Sequence, residues 1–190
     1  AVAHAFLDKK DLGVHTEMIT NSILELVEAG VVTGQRKNIN RGIIIGAFSR
    51  GSRKLYDFMD RNPCVAMNPC SYVNKPNVIA RNYKMVSVNT AMGIDLLGQV
   101  SSESIGYMQY SGSGGQVDTV TGAIHATGGK SIIALASTAK NGTLSKICLS
   151  HGPGTAVTLS RNDVDYVATE YGIVRLSGRT VKERAKLLIS

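Results

Sequence analysis

The run Ser111-Gly112-Ser113-Gly114-Gly115-Gln116-Val117-Asp118 has the composition of an anion cradle. Glycine accepts positive φ and puts no side chain in the way, so successive N–H groups can converge on one negative charge. Two common phosphate motifs do not account for it. Val117 stands where G-x-G-x-x-G needs its third glycine, and Gly129-Lys130-Ser131, which has the ending of a P-loop, carries Ile124 where the leading glycine belongs. The loop therefore suits an oxyanion or another anion, and it needs a chemical partner from elsewhere in the chain.

Glu17 is the best such partner. It lies in Leu12-Gly13-Val14-His15-Thr16-Glu17-Met18, which reads as a strand running into a helix. Thr20 or Ser22 is the candidate cap of that helix, Ser22 and Glu25 match S-x-x-E, Ile23, Leu24, Leu26 and Val27 supply an apolar face, and Gly30 is the stop. A carboxylate between a strand end and a helix sits where open α/β sheets gather active groups. The same position also suits an acid that only favours a helix N-terminus, and spacing leaves both readings open.

The elements that must position these groups alternate along the chain. Gly42–Phe48, Met85–Asn89, Ser131–Leu135, Ala156–Leu159 and Tyr166–Thr169 read as strands, and Ile94–Leu96 with Gln99–Ser101 as a hairpin through Gly98. Arg53–Met59 and Val181–Ile189 read as helices, the second basic and amphipathic. Continuous apolar strands between helices predict an α/β fold whose sheet is covered on both faces.

With 190 residues, 43% of them hydrophobic, the chain can bury a core as one domain, residues 1–190. No apolar run has transmembrane length and no signal-peptide pattern is present, so the chain reads as soluble, and its three cysteines fit a reducing, cytoplasmic compartment. Ala1–Lys10 reads as an amphipathic helix already under way, without a cap, which predicts that the chain is the later part of a longer protein. Cys64, Cys70 and Cys148 lack metal-ligand spacing and fit reduced thiols, so neither a disulfide nor a metal is expected. A net charge of +7 favours an anionic partner without naming it. Basic residues are scattered, richest at Arg50, Arg53 and Lys54, and no nucleic-acid recognition motif accompanies them. That cluster fits a solvated surface or a phosphate-bearing cofactor.

Val14-His15-Thr16-Glu17-Met18, Arg53–Phe58, Asp95–Val100, Gly112–Asp118 and Val167–Gly172 occur in one order and together resemble the acetyl-CoA hydrolase/transferase family over essentially the whole chain. Its 4-hydroxybutyrate, butyryl and propionyl CoA-transferase branch is the most similar. The resemblance implies a CoA-transferase-like (NagB/RpiA-like) fold with an open, mostly parallel sheet, of which this chain would be the C-terminal domain. It implies Glu17 as the nucleophile, passing through an acyl-glutamyl anhydride and a glutamyl-CoA thioester, with the Gly115 N–H and the Asn74 amide on the oxyanion. Gly112, Gly114, Gly115, Gln116 and Lys140 are implied as CoA contacts. Coenzyme A would be a co-substrate and no group permanently bound. Implied partners are acyl-CoA, small carboxylates, the protein's own N-terminal domain and further copies in a homodimer or larger homo-oligomer, with no nucleic acid or membrane.

Each role has a plainer competitor. Asn74, before Lys75-Pro76, suits a turn, and Lys140 suits a solvated loop. Glu170 is the rival carboxylate, which the resemblance leaves structural, and His15 either tunes Glu17 or is packed. Ser113 and Ala136 stand where many relatives carry valine and proline, which bears on acyl-chain preference. Thioester hydrolysis is the close alternative reaction, and a noncatalytic anion- or nucleotide-binding domain is the alternative of another class.

Overall fold

The computed structural model describes residues 5–190 and divides into two compact units, one ending at Tyr83 and the other spanning Lys84–Ser190. The first contains β1 (Met18–Thr20), α1 (Asn21–Glu28), β2 (Ile44–Gly46), β3 (Phe48–Arg50), α2 (Arg53–Met59), β4 (Val65–Met67), α3 (Cys70–Val73) and α4 (Pro76–Ile79). β1 pairs with β3 and β2 with β4, both parallel, and a parallel bridge joins His15 to Ile45. Ile19, Leu24, Leu26, Val31, Val32, Ile44 and Leu55 form its core.

Local chemistry explains the helix boundaries. α1 ends where Gly30 takes φ +70°, its N–H donating to Val27 and the Val31 N–H to Leu26. That is the Schellman pairing, with Leu26 and Val31 both buried in the same core. Pro76 confines Lys75 to extended backbone, so α3 stops at Val73 and a new helix starts at Pro76. Asn74 is left as the residue between them.

The second unit contains β5 (Val86–Thr90), β6 (Gly93–Asp95), β7 (Val100–Ser101), β8 (Ser104–Ile105), β9 (Met108–Gln109), α5 (Gln116–His125), β10 (Lys130–Ala134), β11 (Thr138–Ala139), β12 (Leu144–Ser145), β13 (Ile147–Cys148), β14 (Tyr166–Thr169), β15 (Gly172–Arg175) and α6 (Val181–Ile189). Its main sheet has the order β15-β14-β10-β5, parallel except for the antiparallel edge β15. α5 packs on β10 and β5, and α6 on β15. The core joins Val120 of α5, Ile133 of β10, Val167 of β14 and Leu188 of α6. The predicted α/β fold with an open, mostly parallel sheet is present.

Several expected elements take another form. Gly42–Phe48 is not one strand but breaks at Ala47, because the Glu17 carbonyl accepts both the Ala47 N–H (2.9 Å) and the Phe48 N–H (3.1 Å). The register is the same on either side of this shared acceptor, His15 pairing with Ile45 and Met18 with Phe48. The expected Leu12–Met18 strand reduces to bridges at Leu12 and His15 before β1. Thr20 occupies the N-cap of α1 without a side-chain bond, and Ser22 lies inside the helix, so the Ser22–Glu25 box does not form. Ala156–Leu159 contributes only a bridge from Leu159 to Val100. In the expected Ala1–Lys10 helix, residues 1–4 lie outside the described residues, and Ala5 and Phe6 form a short 3₁₀ turn.

Candidate active site

Glu17 sits at the bend between the His15 bridge and β1, its carbonyl accepting the N–H groups of Ala47 and Phe48. The Glu17 carboxylate is half-buried, and its Oε2 accepts a hydrogen bond of 2.5 Å from the Asn74 side-chain amide, 57 positions further along the chain. Such a bond to a carboxylate is charge-assisted and fixes one of its two oxygens. Asn74 reaches it from the C-cap of α3, with φ −91° and ψ 4°. The turn reading of Asn74 and the contact with Glu17 are thus both present in one residue.

His15 supports this pair from behind. It is 8% exposed, its Nε2 lies 2.8 Å from the Val73 carbonyl, and its ring centroid is 6.4 Å from that of Tyr72. Tyr72 in turn accepts from the Asn40 amide at 3.0 Å. A carbonyl can only accept, so Nε2 carries the proton and Nδ1 presents a lone pair. Burial holds the His15 imidazole below its ordinary titration range, and the Lys37 charge adds to this against the opposing bond to Val73.

Lys37 carried no motif and went unnoticed in sequence. Its Nζ donates to the carbonyls of Val14 (2.9 Å) and Ile43 (2.6 Å), and no ion pair engages it among the described residues. Burial pushes it down to about 8. Gly13 makes room for its stem, since a Cβ there would lie 2.3 Å from Lys37 Cγ.

In the second unit, the glycine run opens α5, a helix with little periodic signal in the sequence because its apolar positions are few. Gly114 takes φ +55° and Gly115 is the N-cap, its carbonyl receiving the Thr119 N–H at 2.9 Å. Helix geometry leaves the first-turn N–H groups without intrahelical acceptors, so this end concentrates donors and positive potential. Gly112 and Gly114 are exposed with open space where a Cβ would be, whereas Gln116 is buried with Nε2 unpartnered. Lys140, Asn141 and Gly142, all at positive φ, form the tip of the β11–β12 hairpin, and the Lys140 side chain is exposed.

Glu170 is engaged already. Its carboxylate accepts the Ser137 hydroxyl at 2.5 Å and the Ser137 N–H at 2.8 Å, and these bonds, hydroxyl first, hold it below the ordinary carboxylate range. Of the basic cluster, Arg53 pairs with Asp57 and Lys54 with Glu28, which favours its solvated-surface reading. The three cysteines are free thiols. Among the described residues no His, Cys, Asp and Glu cluster could hold a metal, and no helix is long and apolar enough to cross a membrane.

The chain is 47% identical over its whole length to a succinyl-CoA:cyclohexane-1-carboxylate CoA transferase of Geobacter metallireducens, covering 44% of that protein. It is 50% identical over 96% of its length to a 4-hydroxybutyrate coenzyme A transferase of Clostridium kluyveri, covering 43% of it. The fold matches the crystal structure of a 4-hydroxybutyrate CoA-transferase from Porphyromonas gingivalis with a TM-score of 0.85 at 39% identity, over 98% of this chain and 43% of that one. The chain thus spans less than half the length of these relatives. Residues 51–190 match the acetyl-CoA hydrolase/transferase C-terminal domain, and the chain belongs to that family.

Proposed function

We propose that this chain supplies the nucleophile of a CoA-transferase that moves CoA from an acyl-CoA to a short-chain carboxylate, with Glu17 as that nucleophile. The observation that carries the reading is the half-buried Glu17 carboxylate, gripped through one oxygen by Asn74 at a bend just before β1. A carboxylate is a weak nucleophile, and a positioned, partly desolvated one gains most from donors aimed at the developing oxyanion.

Glu17 attacks the thioester carbonyl and expels CoA thiolate, giving an acyl-glutamyl anhydride. The thiolate then attacks the glutamyl carbonyl, releasing the first carboxylate and leaving a glutamyl-CoA thioester. The acceptor carboxylate attacks that thioester, and the returning thiolate cleaves the new anhydride at its acyl carbon, regenerating Glu17 and forming the new acyl-CoA. In this reading the Gly115 N–H and the Asn74 amide serve the oxyanion, and Gly112, Gly114, Gln116 and Lys140 contact CoA. The complete protein would work as a homo-oligomer in the cytoplasm, with an N-terminal domain contributing to the acyl pocket. Succinate, butyrate, acetate and 4-hydroxybutyrate are the acceptors to try.

The test is to incubate the complete protein with acyl-CoA, without acceptor, and analyse its peptides by mass spectrometry. CoA on the Glu17 peptide, absent in Glu17→Gln, supports the reading. An unmodified Glu17 peptide alongside thioester hydrolysis would replace it with a hydrolase that uses no glutamyl intermediate.

A further inference from the structure

We infer that His15 is a positioning residue for the reaction, acting through the Val73 carbonyl on Asn74 and through Asn74 on Glu17; this rests on the reading of Glu17 as nucleophile. α3 is a single turn, and its end carbonyls need partners from outside the ordinary ladder. Pro69 receives the Tyr72 and Val73 N–H groups, Cys70 receives Asn74, and Tyr72 receives Lys75. The Val73 carbonyl receives His15 Nε2 at 2.8 Å. Val73 is 1% exposed, so without His15 this carbonyl would be buried and unpaired. The next residue is Asn74, whose amide holds Glu17 at 2.5 Å.

The two ends of this relay are two residues apart in sequence. His15 and Glu17 leave the same segment, one on either side of Thr16, and close on the successive residues Val73 and Asn74. The segment and the end of α3 are thereby clamped in register at two points. Glu17 is not among the groups that shift His15, whose environment is set by burial, Val73 and Lys37, so the link is geometric. The bond also dictates which replacement will serve. Glutamine places its amide nitrogen near the position of Nε2, whereas asparagine reaches only as far as Nδ1.

The test is steady-state kinetics of the complete protein with acyl-CoA and acetate, with thermal unfolding measured for each variant. His15→Asn is expected to lower kcat roughly 10- to 100-fold, the scale of a small misplacement of a reacting group, with the KM for acyl-CoA within about twofold. His15→Gln is expected to recover kcat to within about threefold of wild type. Asn74→Ala lowers kcat by itself, and adding His15→Asn to it costs less than about threefold more, because the relay is already cut. Equal losses in His15→Gln and His15→Asn, multiplying losses in the double variant, a His15→Asn enzyme at wild-type rate, or a kcat loss that only tracks the unfolded fraction would each overturn the inference. A Glu17→Gln enzyme at full rate would remove the nucleophile reading and this one with it. An inactive Glu17→Gln beside a fully active His15→Asn removes this one alone.

Discussion

Ser137 binds Glu170 through both its hydroxyl and its backbone N–H, so one carboxylate ties the start of the β11–β12 hairpin segment to the end of β14. Because these bonds lower the Glu170 carboxyl, the folded state resists protonating it. Its contribution to stability is full above its unfolded value near 4.5 and is lost as pH falls below that. Urea midpoints from pH 3 to 6 should therefore fall less steeply with acid in Ser137→Ala than in wild type. Glu170→Gln should still form the Glu17 adduct; loss of that adduct in a folded Glu170→Gln protein would reopen the rival carboxylate.

Glu17→Gln should lower transferase turnover by roughly 10³-fold or more while leaving thermal stability close to wild type, since the amide keeps the shape but cannot form the anhydride. Asn74→Ala removes one donor and should cost on the order of 10²-fold in kcat. Assay of both variants beside unfolding curves separates chemistry from folding.

Lys37 predicts an alkaline gain in stability. Its folded value of about 8 lies below its ordinary 10.5, so between those values the unfolded chain holds a proton that the folded chain has released, and stability rises with pH. Screening of this part-exposed group reduces the effect to about 1–2 kcal/mol. Lys37→Met should flatten the urea-midpoint profile between pH 8 and 10.5; an unchanged slope would show that Lys37 is not its source.

Gly129 tests a look-alike motif. A Cβ there would lie 2.0 Å from the Ala123 carbonyl oxygen, at the point where α5 turns into β10. Gly129→Ala should therefore cost about 1–3 kcal/mol by forcing backbone apart, measured by denaturant unfolding. The glycine of Gly129-Lys130-Ser131 serves close packing, and phosphate affinity in a folded variant should be unaffected.

Two helices and one hairpin were legible in sequence because their signals are local. Arg53–Met59, Val181–Ile189 and the Gly98 hairpin appear where apolar spacing, capping residues and glycine placed them. Thr180 and Glu183 even close a capping box within four residues. α5 was not legible, since its first turn is the glycine loop and its buried positions include Gln116, Gly122 and Ala123, which carry little hydrophobic signal. The Ala156–Leu159 strand failed for the opposite reason: apolar content was sufficient, but only Leu159 found a strand partner.

By itself the sequence determined which chemical groups the protein owns: carboxylates after short strands at Glu17 and Glu170, a glycine-rich loop, an asparagine before Lys75-Pro76 suited to a turn, and an α/β alternation of elements. Tertiary structure alone decided that Asn74 meets Glu17, that Ser137 occupies Glu170, and that Lys37 is half-buried with its ammonium on the Val14 and Ile43 carbonyls. Propensity, capping and periodicity act over a few residues, whereas these pairings span tens of positions and exist only once bend, turn and core have fixed where each backbone segment runs.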